Sequence, residues 1–362
     1  MKRAESAKSV PWIEPPTEES VARAVAWLRA GKLIGLPTET VYGLAADASN
    51  ADAVAKIYAA KGRPVDHPLI VHVASADAAK AWAATWSDAA DKLSAAFWPG
   101  PMTLIVKRAS HVLDAVTGGQ DTVGLRVPSH PVAQSVMREF ALGTPAALGT
   151  PAASAASGLA APSANQFGQV SATTAAHVAA EFPALPLFIL DGGACEVGVE
   201  STIVDVSGDA VRILRPGRVR ANEIERVLGV ALSHVTDDAS DAPRVSGSLA
   251  SHYAPRTSTV MLEERRLRTQ LRAFRQAQDS GPSRCVITHS FDVEPSAKLR
   301  AIRLASDAQT WEYELYALLR ALDSERYGQL IIEAPPQGPE WEAVNDRVQR
   351  ATQRDTAENP VE

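Results

Sequence analysis

Hydrophobic and polar positions follow two periods along this chain, and the two periods succeed one another repeatedly. Apolar residues recur at helical spacing over residues 21–30, after the acidic pair Glu18 and Glu19 and before Gly31. Acidic residues suit the positive end of a helix and glycine favours its termination, so this segment is predicted to be helical. The short apolar run at 33–36 then meets Pro37, which predicts a strand leading into a loop.

The same alternation continues downstream and predicts an α/β domain. Further helices are predicted over residues 51–60, 76–97, 131–140, 174–182 and 221–228. Further strands are predicted at residues 69–73, 102–107, 122–127, 187–190, 201–206 and 211–214. The hexapeptide LGTPAA occurs twice in tandem between residues 142 and 153. Its small residues cannot bury much apolar area, so we interpret it as a surface loop insertion.

A second α/β unit is predicted after a polar stretch at residues 233–250, which has the composition of a linker. Apolar runs at 259–262, 285–288 and 330–333 alternate there with helical patterns at 265–278, 309–322 and 340–350, which suits a small parallel sheet. The predicted organisation is therefore a tail at 1–16, a first domain at 17–230, a linker at 231–256, a second domain at 257–354 and a tail at 355–362.

Composition limits the classes of function. The 362 residues exceed what one hydrophobic core usually organises, and 46% hydrophobic with 22% charged residues is typical of a globular protein. A net charge of −6 argues against a dedicated nucleic-acid binder. Cys195 and Cys285 lie too far apart to suggest a zinc site or a disulfide framework, and no signal or membrane-spanning segment is evident, so we expect a cytoplasmic protein.

Polar and charged residues crowd into four short loops between apolar runs, where α/β folds present their ligand-binding edge. These segments are PTETVYGL at 37–44, KGRP at 61–64 with nearby His67 and His72, APSAN at 161–165, and GVEST at 198–202. Each alone also has an ordinary structural interpretation, since lysine and arginine often end helices, and serine and asparagine often cap turns. No phosphate loop, dinucleotide fingerprint, hydrolase elbow or zinc-protease helix is found.

Taken together and in order, these segments resemble the threonylcarbamoyl-AMP synthases, whose core is the YrdC-type domain. The matching strings are PTETVYGL, KGRPVDHPLIVH, FWPGPMTLIVKR, DTVGLRVPSHP, APSAN, DGG, GVESTIVDV and ILRPGRV, within residues 22–219. The string SGSLASHYAPRT resembles the linker of the long, two-domain form. The resemblance implies a twisted mixed sheet with helices around a concave, positively charged cavity, followed by a smaller Rossmann-like α/β domain.

The resemblance also implies roles for individual residues. Lys61 and Arg63 are implied to be catalytic, and no residue is implied to bind a metal directly. For L-threonine it points to Thr40, His72, Arg126, the backbone at Ala161, and Ser201. For ATP it points to Arg63, His67, Thr122, Ser163, Asn165, Ser171 and Arg215. At His67 the archaeal long form has asparagine, and Ala250 stands where some relatives have tyrosine, so lid closure is assigned to His252, Tyr253 or the backbone.

The implied reaction joins L-threonine, bicarbonate and ATP into threonylcarbamoyl-adenylate, with Mg²⁺ on the phosphates. The product is expected to pass to the threonylcarbamoyl-transferase machinery that modifies transfer RNA beside the anticodon. Two alternatives stay open at this point. One is a double-stranded RNA-binding module, or weak RNA binding beside the enzymatic role. The other is carbamoyl transfer from carbamoyl phosphate, which in hydrogenase-maturation proteins accompanies acylphosphatase and zinc-finger segments that this sequence lacks.

Overall fold

A computed structural model describes residues 10–142, 156–232, 242–247, 252–277 and 281–353. The chain divides into two compact units. The first comprises residues up to 167 together with 171–246, and the second comprises 168–170 together with the chain from 247 onward. Within the described ranges, every helix is too short or too polar to cross a bilayer. The tandem LGTPAA segment lies almost wholly outside the described residues, as does Ala250.

The first unit alternates short strands with helices. Its strands are β1 (Trp12–Glu14), β2 (Ile34–Leu36), β3 (Gly43–Asp47), β4 (Ile70–His72), β5 (Met102–Lys107), β6 (Thr122–Arg126), β7 (Leu159–Ala160), β8 (Phe188–Leu190), β9 (Thr202–Asp205) and β10 (Arg212–Arg215). Its helices are α1 (Glu18–Arg29), α2 (Ala51–Lys61), α3 (Ala76–Lys80), α4 (Asp88–Phe97), α5 (Asp114–Thr117), α6 (Pro131–Leu142), α7 (Ala175–Glu181) and α8 (Ala221–Leu228).

The ten strands form one mixed sheet in the order β1-β8-β2-β3-β7-β4-β6-β5-β9-β10. Parallel pairs such as β4 with β6 and β5 with β9 alternate with antiparallel pairs such as β5 with β6. The expected mixed sheet is therefore confirmed. In this order β4, β6, β5 and β9 are neighbours, so His72, Arg126, Thr103 and Thr202 lie on adjacent strands.

Apolar side chains on both faces of the sheet form the core. Tyr42, Leu44, Ile57 and Trp82 belong to one buried cluster, and Leu28 belongs to a second beneath α1 and α6. Burial of such side chains from water is the main force that holds the sheet and helices together. The strands are thus fixed rigidly enough to hold polar loops at their ends.

Helix α2 ends at a glycine, and this ending matters for the site. Gly62 is the C-cap residue, with a left-handed φ of 61°, and its amide bonds back to the carbonyls of Ala59 and Tyr58. Glycine adopts this conformation without the steric cost that a side chain would bring. The chain therefore turns sharply between Lys61 and Arg63, and both side chains are buried.

The second unit contains a four-stranded parallel sheet in the order β11-β14-β12-β13. Its elements are β11 (Thr259–Leu262), α9 (Glu264–Gln276), β12 (Arg284–Thr288), β13 (Leu299–Arg303), α10 (Ala308–Ser324), β14 (Gln329–Glu333), a short 3-10 helix (Pro339–Trp341) and α11 (Glu342–Thr352). The predicted small α/β domain with a parallel sheet is confirmed.

One carboxylate occupies the carboxyl edge of this parallel sheet. Glu333, at the end of β14, accepts hydrogen bonds from the backbone amides of His289 (2.7 Å) and Ser290 (3.1 Å), just after β12. The His289 ring packs edge-on to Trp311 and near Trp341. Glu333 itself is buried. Four side chains and two amides are thus held together where two neighbouring parallel strands end.

Several short elements were not predicted from the sequence. The segment expected to be a tail contains β1, which pairs in parallel with β8. The helices expected around residues 76–97 are α3 and α4. Strands β3, β7 and β13 and helix α5 were also missed. Runs of two to five residues show too little of either period to be recognised, and Ser87 starts a new helix by accepting from the amide of Ala90.

Candidate active site

The first polar loop, between β2 and β3, is joined by hydrogen bonds to the loop that precedes β9. The backbone amides of Val197 and Gly198 donate to the carbonyls of Glu39 (2.8 Å) and Thr40 (3.1 Å). The hydroxyls of Thr38 and Thr40 lie 3.0 Å apart and are buried. Two of the four loops found in the sequence are therefore neighbours in the fold.

A buried ion pair lies beside this loop. Nη2 of Arg126 and Oε1 of Glu39 are 2.8 Å apart, and their side chains are only 5% and 4% exposed. The Nε of Arg126 also donates to the carbonyl of Gly100 at 3.3 Å. A guanidinium has five N–H donors, so donors remain for a bound anion after these two contacts.

His72 lies next to Arg126 because β4 and β6 pair in parallel with these two residues in register. Burial, and then the charge of Arg126, lower the pKa of His72 to about 3. Its imidazole is therefore neutral at physiological pH. Among the described residues, nothing hydrogen-bonds its buried Nδ1. A neutral ring with an unused nitrogen beside a cation is suited to contact a polar substrate.

The lowered pKa of His72 predicts a loss of stability in mild acid. As pH falls below about 6.5, the unfolded chain binds a proton at this histidine that the folded chain excludes until about pH 3. Between pH 6.5 and 5 this amounts to about 2 kcal/mol at 1.36 kcal/mol per pH unit. The unfolding free energy is measured by urea titration at pH 7 and pH 5. We expect the loss of unfolding free energy between these two pH values to be smaller by that amount in His72→Gln than in the unchanged protein. An identical pH dependence in both proteins would contradict this.

A second arginine holds the fourth loop. Arg215, at the end of β10, donates from Nε (3.1 Å) and Nη2 (3.0 Å) to the carbonyl of Ser201. The Ser201 hydroxyl lies 2.8 Å from that of Thr103 and accepts from Arg215 Nη2 at 3.2 Å. Arg215 Nη1 donates to the carbonyl of Ser246 at 2.9 Å. The hydroxyl predicted to contact threonine and the arginine predicted to contact ATP thus touch each other.

Arg63 reaches the same serine from the other side. Its Nη2 donates to the hydroxyl of Ser246 (3.0 Å) and to the carbonyl of Pro68 (2.9 Å), and its Nε donates to the carbonyl of His67 at 3.3 Å. Ser246 therefore bridges the two arginines predicted to contact ATP phosphates. Serine oxygens here accept hydrogen bonds that phosphate oxygens could also accept.

The segment that carries Ser246, residues 242–246, is part of the first unit. The backbone amide of Arg244 donates to Oε1 of Gln120 at 2.7 Å. Nε2 of Gln120 donates to the backbone carbonyl of Arg244 at 3.1 Å. Val245 packs against Ile105 and Ile203. Thr122 lines a pocket together with these residues. This part of the predicted linker therefore borders the predicted ATP residues.

Lys61 ties the second loop to the third. Its Nζ donates to the backbone carbonyls of Ser163 (2.6 Å) and Asn165 (2.5 Å). Complete burial, and then the nearby charge of Arg63, lower the pKa of Lys61 well below its usual value. A negative charge brought next to this lysine would favour its charged form.

The remaining predicted residues occupy the same unit. Ser171 donates to the carboxylate of Glu200 at 2.5 Å, beside Ser201 in sequence. The amide of Ala161 donates to the carbonyl of Ile70 at 3.1 Å. The ring of His67 meets that of Phe167 edge-on, and burial, followed by the charge of Arg63, lowers its pKa.

His252 and Tyr253, predicted to close over ATP, belong to the second unit. Their rings are 4.1 Å apart, and Tyr253 also packs near Tyr316 of α10 and Arg347 of α11. Tyr253 has a φ of 59°, which is rare for a residue with a side chain. Their lid role stays a prediction.

Three polar residues in this site received no role from the sequence. Glu39 stands between two threonines of the first loop, Thr103 lies on β5, and Ser246 lies in the polar linker. All three lie inside recognised strings, which are PTETVYGL for Glu39, FWPGPMTLIVKR for Thr103 and SGSLASHYAPRT for Ser246. Thr103 and Ser246 are brought in by strand pairing and by a distant chain segment, which local sequence cannot reveal.

A continuous chain of contacts therefore runs from Arg126 through Glu39 and the loop before Ser201 to Arg215, and on through Ser246 to Arg63. Fixed cations, hydroxyls and a neutral histidine on a mixed sheet define a protein that binds an anionic small molecule. Within the described ranges, no histidine, cysteine, aspartate and glutamate side chains form a group able to hold a metal ion.

Comparison with known proteins identifies the family. Residues 26–217 match the family model Sua5_yciO_yrdC, described as telomere recombination, and residues 219–353 match the model of the threonylcarbamoyl-AMP synthase C-terminal domain. The chain belongs to the threonylcarbamoyl-AMP synthase family.

Individual relatives agree over most of the chain. The threonylcarbamoyl-AMP synthase of Bacillus subtilis (strain 168) is 34% identical over 359 residues, which cover 95% of this chain and 98% of that protein. That of Pyrococcus abyssi (strain GE5 / Orsay) is 38% identical over 248 residues, 68% of each chain. The crystal structure of P. abyssi Sua5 complexed with L-threonine has a TM-score of 0.81 at 30% identity, covering 95% of this chain and 97% of that one.

Proposed function

We propose that this chain makes L-threonylcarbamoyladenylate and pyrophosphate from L-threonine, bicarbonate and ATP, for threonylcarbamoyladenosine modification of transfer RNA. The observation that carries the proposal is the continuous polar chain from Arg126 to Arg63, which joins a site suited to an amino acid to one suited to a triphosphate. Membership of the synthase family and the L-threonine complex of a structural relative support it. The comparisons do not favour the RNA-binding alternative.

L-Threonine binds at the Arg126 end in this proposal. The guanidinium of Arg126 takes the carboxylate, because its planar donors match that group. Further polar contacts to L-threonine come from the side chains of His72, Thr40 and Ser201 and from the backbone at Ala161. The buried surroundings favour these contacts by excluding competing water.

ATP binds at the other end. Lys61, Arg63 and Arg215 supply positive charge for the triphosphate, and displacement of Ser246 from the two arginines frees donors for phosphate oxygens. The further residues assigned to ATP are His67, Thr122, Ser163, Asn165 and Ser171. Mg²⁺ enters with the nucleotide, held by the phosphates themselves, which fits a donor set that is cationic rather than acidic.

The chemistry then needs alignment and charge stabilisation more than a covalent intermediate. The threonine amine becomes a carbamate, and a carbamate oxygen attacks the α-phosphate and expels pyrophosphate. Lys61 and Arg63 stabilise negative charge that develops on the transferring group. The product passes to the transferase machinery that modifies transfer RNA, in the cytoplasm.

The test is direct synthesis. Purified protein is incubated with ATP, Mg²⁺, bicarbonate and isotope-labelled L-threonine, and the adenylate is sought by mass spectrometry while pyrophosphate is measured. We expect labelled adenylate, with pyrophosphate release that stops when either threonine or bicarbonate is omitted. Salt-sensitive RNA binding without such turnover, or turnover that needs carbamoyl phosphate instead, would contradict the proposal.

A further inference from the structure

Glu39 is the one buried carboxylate of the first loop, and its hydrogen-bonding capacity is not used inside the described structure. Its side chain is 4% exposed and meets Nη2 of Arg126 at 2.8 Å. Neither of its carboxylate oxygens receives a hydrogen bond from any described residue. The Arg126 contact supplies charge but lacks hydrogen-bond geometry, because Nη2 also has no hydrogen-bond partner among these residues.

Such an arrangement is costly unless a ligand completes it. A buried carboxylate is normally satisfied by several donors, since each missing hydrogen bond leaves its desolvation uncompensated. The unused nitrogen of His72 lies beside the same arginine. A carboxylate and a ring nitrogen that lack hydrogen-bond partners among the described residues lie around one guanidinium, and they fit a ligand that carries an anionic end and a hydrogen-bond-donating end.

A free α-amino acid has these two ends on one carbon atom. Its carboxylate suits Arg126, and its ammonium offers three N–H donors to a neighbouring carboxylate. We infer that Glu39 receives the α-ammonium of the bound amino acid and then accepts one of its protons, which makes the amine nucleophilic. This inference rests on the proposed function and adds to it the group that starts the reaction.

The proton balance is simple. Glu39 takes one proton from the ammonium and becomes a neutral carboxylic acid. The neutral amine then attacks the carbon of bicarbonate, so that an N–C bond forms and the C–OH bond breaks. One hydrogen of the amine leaves with that hydroxyl as water, and the carbamate remains. Glu39 returns its proton to solvent when the products leave. The electron pair comes from nitrogen throughout, and no oxidant or reductant is needed.

The local backbone keeps Glu39 in place for this role. Its carbonyl accepts from Val197, and the next residue, Thr40, accepts from Gly198, so the loop is tied down on both sides of the carboxylate. Glu196 precedes Val197 in the facing loop and is exposed. Glu196 is therefore a suitable control carboxylate, because it adjoins the residue that bonds to the Glu39 backbone but takes no part in the buried ion pair.

The first measurement uses the unchanged protein and compares two ligands by calorimetry. These are L-threonine and its analogue in which a hydroxyl replaces the α-amino group. We expect L-threonine to bind about 30-fold more tightly or better, because a buried carboxylate rejects a ligand without the cationic donor. Equal affinity for the two ligands would overturn the inference whatever the variants do.

The second measurement uses Glu39→Gln, with Glu196→Gln as the control. We expect the threonine preference to fall to about 3-fold or less and the turnover number to fall about 100-fold or more, as for loss of a general base, with KM for ATP unchanged. The control should match the unchanged protein. A general structural defect would instead raise KM for both substrates.

Glu39→Gln removes the charged partner of the buried Arg126 and therefore also affects folding. For this reason Glu39→Asp is made in parallel. It retains the charge but withdraws the carboxylate by one methylene, and we expect its turnover to fall about 10-fold or more. Full turnover in either variant would overturn the inference while leaving the proposed function intact. Absence of threonine-dependent turnover in the unchanged protein would instead reject the proposed function itself.

Discussion

Arg63→Ala is expected to lower threonine-dependent pyrophosphate release about 100-fold or more, the usual effect of removing one fixed charge that stabilises a developing anion. Arg63 is 7% exposed and lies between Ser246, the carbonyl of Pro68 and Lys61, so water cannot easily replace its charge. The measurement is initial-rate kinetics with continuous detection of pyrophosphate.

The appropriate control is Arg138→Ala, which removes an exposed arginine from α6 of the same unit and should leave the rate unchanged. Circular dichroism and thermal unfolding establish that both variants are folded. A folded Arg63→Ala protein with undiminished turnover would mean that Arg63 does not contact the triphosphate, and the ATP assignment would then be wrong.

Arg126→Lys is expected to raise KM for L-threonine about 10- to 100-fold with little effect on KM for ATP, because lysine keeps the charge but loses the planar pair of donors. We also expect a fall of about 1–3 kcal/mol in unfolding free energy, since Glu39 is buried and depends on this partner. Steady-state kinetics and urea unfolding test the two effects separately.

Arg108→Lys is the matched comparison, because Arg108 follows β5 and pairs with the exposed carboxylate of Asp114. An exposed pair of this kind contributes little, so both kinetics and stability should stay near those of the unchanged protein. If the two substitutions changed KM for L-threonine and the unfolding free energy equally, the role assigned to the buried guanidinium of Arg126 would be wrong.

Much of the fold was predictable because long periodic segments carry their own signal. Strand β5, helix α8 and strand β11 lie at the predicted residues, and α2 differs only in also including Lys61. The short strands β1, β3 and β7 were missed because their conformation depends on pairing with β8, β2 and β4, which lie elsewhere in the chain.

The site was predictable as a set of motifs but not as a geometry. Strand pairing brings His72 beside Arg126, and this could follow from sequence only if the sheet order were known. The bridging position of Ser246 depends on a segment more than a hundred and fifty residues after Arg63, in a stretch whose composition indicated only a linker. Glu39 carried no signal beyond its motif, because its importance arises from burial and from the lack of hydrogen-bond donors to it in the part of the chain that the structure describes.

The arrangement at Glu333 has a consequence for the second unit. In parallel α/β sheets, nucleotide phosphates commonly settle on backbone amides just beyond the strand ends, where neighbouring connections diverge. Here the amides of His289 and Ser290 already hold a carboxylate supplied by the protein itself. A phosphate group would have to displace Glu333 before it could accept hydrogen bonds from these two amides.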